Sequence, residues 1–96
     1  MVPRIVSITD AINLVAKSRC LSGVLKVQIE EVSAPESLEA SLGDHPLQRL
    51  AITCIDRRAP RYEFDLRLPE NMPASRYPLK VRVGRRQLPP IDVEVL

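Results

Sequence analysis

The chain has no tryptophan, one histidine, three glycines and only three aromatic rings, Tyr62, Phe64 and Tyr77, among its 96 residues. Each shortage removes a class of chemistry. Single-strand nucleic-acid readers and sugar binders stack their ligands on exposed rings, and three rings are no more than one small core requires. His45, being alone, excludes a histidine-rich metal site by count. Gly23, Gly43 and Gly84 are isolated, so no glycine-rich loop is present to cradle a phosphate. No apolar run approaches the roughly 18 residues of a membrane span, and Met1-Val2-Pro3-Arg4-Ile5 does not open a signal-peptide apolar block. Read as a complete chain, the protein is expected in the cytoplasm; with a signal segment removed, in the periplasm.

Charge and cysteine are equally sparing. Fourteen Lys and Arg against twelve Asp and Glu leave +2, too little to make nucleic acid or an anionic membrane the default partner. Cys20 and Cys54 lie too far apart for a metal-type pair and are too few for a disulfide scaffold. Both are expected to be small buried apolar residues. No cofactor is expected.

What is present is period-two alternation, which sends successive side chains to opposite faces of a sheet. In residues 61–68, Tyr62, Phe64, Leu66 and Leu68 alternate with Arg61, Glu63, Asp65 and Arg67. Leu25, Val27 and Ile29 alternate with Lys26, Gln28 and Glu30, and Tyr77, Leu79, Val81 and Val83 enclose Lys80 and Arg82. Residues 91–95 form a shorter example, and the terminal strand, residues 91–96, is a natural sheet edge. Residues 48–56 are apolar on both sides, the pattern of a central strand covered on both faces.

The nine prolines fall almost entirely between these runs; Pro78, at the start of its strand, is the exception. Ser33-Ala34-Pro35-Glu36 has capping-box spacing, followed by Leu38, Leu42 and Gly43, which predicts a short helix of at most two turns near 34–42. Residues 11–18 read as a strand in preference to a helix capped by Thr9 or Asp10. The expectation is one all-β domain over residues 1–96: a small antiparallel β-sandwich, immunoglobulin- or transthyretin-like, of about six or seven strands. A chain of this length, 45% hydrophobic and 27% charged, has room for one core.

Catalytic groups do not converge. His45 sits in a turn composition, Gly43-Asp44-His45-Pro46, and the acid pairs fall mostly on outward faces, where a solvated role is the simpler reading. Two basic clusters stand out at strand ends: Arg57, Arg58 and Arg61, and Lys80, Arg82, Arg85 and Arg86. Arg57, Arg58, Arg61, Arg82, Arg85 and Arg86 are the candidate partner-binding residues, and the alternative reading makes them solvated guards of sheet edges.

Gly23-Val24-Leu25-Lys26-Val27-Gln28-Ile29-Glu30-Glu31-Val32-Ser33, then Tyr62-Glu63-Phe64-Asp65-Leu66, then Tyr77-Pro78-Leu79-Lys80-Val81-Arg82-Val83, together resemble the YscW/YbaY-like family. The resemblance covers about residues 11–86. It departs from the family pattern at Glu31, where Asp is usual, and in lacking the lipobox, since Cys20 follows Lys17-Ser18-Arg19. Members are small β-sandwich lipoproteins, including pilotin-type chaperones of type III secretion. The resemblance therefore implies a non-enzymatic, chaperone-like binding module. The functional expectation is capture of a protein partner, or self-association, through an edge strand or a basic surface. The alternative is a small-ligand binder or transthyretin-like hydrolase with His45 as its base.

Overall fold

Alternating runs hide their apolar side chains by laying one sheet face against another. The computed structural model describes residues 2–96. One sheet holds β1 (Arg4–Asp10), β3 (Val24–Glu30), β7 (Arg61–Arg67) and β6 (Gln48–Asp56), antiparallel and in that order. The other runs β2 (Arg19–Cys20), β10 (Ile91–Val95), β8 (Ser75–Val83), β4 (Glu39–Leu42) and β5 (His45–Pro46), with β9 (Arg86–Gln87) also on β8. The β2–β10 pair is parallel. This is the strand order of an immunoglobulin-type Greek key, with β1, β3, β7 and β6 in the places of A, B, E and D, and β10, β8 and β4 in those of G, F and C. No helix of the described residues is long and apolar enough to cross a membrane.

Register carries the alternation across the sheet. Ile8, Val27, Phe64 and Ile52 form one row on the inner face, and Ile5, Ile29, Tyr62 and Cys54 another. Leu79, Val81 and Val93 face them from the second sheet, all essentially without solvent contact. The outer face is held by weaker polar contacts: Lys26 Nζ lies 3.2 Å from Glu63 and 3.5 Å from Asp65, which it faces directly in register. Such half-buried surface pairs contribute about 1 kcal/mol.

Several sequence expectations change. Residues 48–56 are not a central strand: β6 ends its sheet, and eight of its nine residues are exposed. Strands β4 and β5, four and two residues long, are too short to cover it from the other sheet. Cys54, expected to be buried, is therefore exposed, whereas Cys20 is buried; both are free thiols. The helix expected near 34–42 is a single 3-10 turn at Pro35–Ser37, without a side-chain cap, followed by β4. Residues 11–18 form neither strand nor helix but a looped turn, while β1, which the alternation did not reveal, precedes them. The terminal strand, expected as an edge over residues 91–96, is an edge only in its first part, because β2 pairs with Glu94 and Val95.

Backbone chemistry explains the tight turns. The two-residue hairpin loops Gly43-Asp44 and Gly84-Arg85 both place glycine first, at φ of +56° and +60°, as a II′-type hairpin demands. Pro78 is tolerated because the β4 ladder stops at Leu42 opposite Leu79, and its carbonyl accepts the Gly43 N–H at 2.9 Å.

Phe64 is fully buried at the centre of the inner face. Phe64→Ala is expected to cost about 3–5 kcal/mol in urea unfolding, against less than about 0.5 kcal/mol for the outward Arg67→Ala.

Candidate functional site

A sheet edge is a row of unpaired backbone donors and acceptors, and most edges here are short or partly covered. Residues 16–18 fold back along the end of β1: Ser18 N–H donates to Ile8 O at 2.9 Å, Asp10 N–H to Ala16 O at 3.2 Å, and Lys17 bridges Thr9. Beside β10, Glu94 N–H donates to Ser18 O and Leu96 N–H to Cys20 O. Strand β5 is two residues long and ends in Pro46. Among the described strands the longest open edge is β6, nine residues without proline or glycine, charged only at Arg49 and Asp56. Register shifts at Arg49/Ala51 and Cys54/Asp56 mark two bulges, so the regular stretch is Ala51 to Cys54, opposite Asp65 to Tyr62. A groove of about 450 Å³, lined by Leu38, Ser41, Leu47, Lys80 and Arg82 among others, meets β6 at Arg49.

The basic residues are divided. Arg57, Arg58, Arg61, Arg85 and Arg86 do reach one end of the sandwich. There Val32 N–H donates to Pro60 O, and Gly84 N–H to Ser37 Oγ, joining both hairpin turns to the β3–β4 connection. Arg61, however, pairs with Glu30 at 3.2 Å, and Arg4 takes the other carboxylate oxygen. These two guanidinium groups hold the Glu30 carboxyl below its ordinary range. Arg82 pairs with Glu39 at 2.5 Å. Arg57, Arg58, Arg85 and Arg86 are exposed without ion pairs among the described residues, but Glu31, Glu36 and Asp56 share that end.

His45 does not meet a nucleophile. It stacks edge-on against Tyr77, with ring centroids 5.5 Å apart. Cys20 lies four strand positions away across the sheet, roughly 19 Å. Burial pushes the Cys20 thiol up to about 11, with Asp10 beside it adding to the rise, so at neutral pH it is not a thiolate. Among the described residues no three His, Cys, Asp or Glu side chains cluster as a metal site would require.

Asp10, which the sequence offers only as a possible helix cap, is a buried anion. It lies on the core-facing side of β1, 1% exposed, opposite Leu25. Its Oδ2 accepts the N–H groups of Ile12 and Asn13 at 3.0 and 2.9 Å. Its Oδ1 accepts those of Leu21 and Ser22, both at 2.7 Å, and the Ser22 hydroxyl at 2.9 Å. Burial alone would raise its pKa, but these donors outweigh it and hold the carboxyl far below the ordinary range. The loop they pin presents Ile12, Leu14 and Val15 to solvent, 81%, 57% and 83% exposed.

No protein-family model, curated protein or solved structure matches the chain.

Asp10→Ala, which strands five donors, is expected to lower stability by about 2–4 kcal/mol, and Asp10→Asn, which keeps one acceptor, by less. The carboxyl is depressed in the folded state, so its contribution is complete above about pH 4 and is lost as pH falls further. Urea midpoints at pH 7, 4 and 2.5 should drop more steeply for the native chain than for Asp10→Asn.

Proposed function

We propose that the protein is a non-enzymatic interaction module that captures an extended segment of a protein partner by adding it as a strand to β6. The observation that carries this reading is the nine-residue open edge, with the β4–β5 side of the sandwich too short to cover it. Main-chain hydrogen bonds to residues 51–54 supply affinity, and the groove that meets β6 at Arg49 receives a side chain from the end of the incoming strand. The resemblance to the YscW/YbaY-like family points in the same direction, toward a chaperone-like binding role. The mixed charge at the arginine-bearing end favours the edge over a purely basic docking surface.

Ala51 and Thr53 are exposed, and lysines placed there should block strand addition while leaving the fold intact. Affinity capture from the native lysate, run with the native chain and with Ala51→Lys/Thr53→Lys, is expected to lose its specific partner in the variant. In the captured complex, amide exchange should slow within residues 48–56. A partner that survives those lysines but is lost with Arg85→Glu/Arg86→Glu would transfer the role to the basic end.

A further inference from the structure

The pinned loop and a cleft at the other end of the molecule are complementary, and we infer that copies of this chain associate head to tail, the loop of one seated in the cleft of the next. The loop follows the last residue of β1 and carries Ile12, Leu14 and Val15 outward, with no exposed acid between Ala11 and Arg19. Three aliphatic side chains held in water by a loop whose Ile12, Asn13 and Val15 N–H groups are hydrogen-bonded form the exposed apolar feature expected of a contact surface. The cleft, about 380 Å³, lies at the first residues of β1 and β10. Its walls are Val2, Pro3, Ile5, Leu88, Pro89 and Ile91, with Arg4 as their charged neighbour, already paired to Glu30. A cavity of about 150 Å³ accepts a benzene-sized guest, so this cleft has room for more than one aliphatic side chain.

Charge agrees with the fit. Lys17 stands at the base of the loop and Asp92 beside Ile91, both exposed, neither in an ion pair among the described residues. Loop and cleft sit at opposite ends of one seven-residue strand, about 20 Å apart along it. Set end to end, one loop-in-cleft contact leaves a free loop at one end of the pair and a free cleft at the other. The contact is heterologous, and the assembly grows as an open chain.

Sedimentation velocity of the full chain from micromolar to millimolar concentration is expected to show mass rising past the dimer without a ceiling. Ile12→Ser/Val15→Ser removes the loop surface and Val2→Asp/Pro89→Asp blocks the cleft; all four positions are exposed, and unchanged thermal melts confirm folding. Each variant alone should associate at least roughly tenfold more weakly than the native chain. Mixed in equal amounts, they should form a one-to-one dimer and nothing larger, because one supplies the cleft and the other the loop. The edge variant Ala51→Lys/Thr53→Lys should still associate, which separates this contact from strand addition at β6. A native chain monomeric at millimolar concentration, or a mixture that stays monomeric while the native chain associates, overturns the inference. So does a native chain that stays monomeric yet binds phosphatidylcholine–phosphatidylglycerol vesicles through Ile12 and Val15, which would give the loop to a lipid surface.

Discussion

A carboxylate on the inner face of a sandwich must find hydrogen-bond donors or lose its charge, and the way Asp10 finds them organises the side of the molecule where β1 meets β10. Its two oxygens gather backbone donors from both sides of the crossover that carries the chain from one sheet to the other. The crossover delivers β2 to the end of β10 and lays residues 16–18 against the end of β1, so one anion anchors the segment that covers part of both edges. The Ile12 and Asn13 contacts have the spacing of a helix N-cap, but no helix follows: Ala16 N–H turns back to Asn13 O, and the chain folds on itself.

Partial cover on that side makes the opposite side conspicuous. In the order β1-β3-β7-β6, β6 is as far from Asp10 as the sheet allows. The inner-face row through Asp10 runs on to Leu25, Leu66 and Arg49, so a buried anion stands at one border and an exposed cation at the other. The Arg49 guanidinium donates to Glu36 O at 2.6 Å, reaching over the gap where the second sheet ends. The two bulges of β6 twist its ends and guard them, but they leave Ala51–Cys54 straight and unguarded.

The strands that could be read from sequence are those whose alternation is uninterrupted. In β3, β7, β8 and β10 the apolar positions named from period two are the ones facing the core. β1 escaped because a register shift at Val6 breaks the period, so that Ile5 and Ile8, three residues apart, both face inward. Leu38 and Leu42 misled for a different reason. Their spacing suits one helical turn, but with Ala40 between them it equally suits a strand, and pairing with β8 selects the strand. In β6, apolar residues on both faces signal burial or an uncovered edge, and only the lengths of β4 and β5 decide between them. The loop is the extreme case: Ile12, Leu14 and Val15 look like core, and what holds them in water is Asp10, which pattern reading counts as a cap or a solvated charge.

The two surfaces do not compete. β6 and the β1 ends lie at opposite borders of one sheet, three strand spacings or about 14 Å apart. A strand added to β6 extends the sheet sideways, whereas contact through the loop and cleft runs along β1. Repeating the lengthwise contact with little rotation would present successive β6 edges along one flank, giving a partner with several extended segments more than one place to pair. Linking such sites raises avidity only when the spacer spans them. The separation of loop and cleft, about 20 Å along β1, sets the scale of that spacing and therefore the partners such an array would favour.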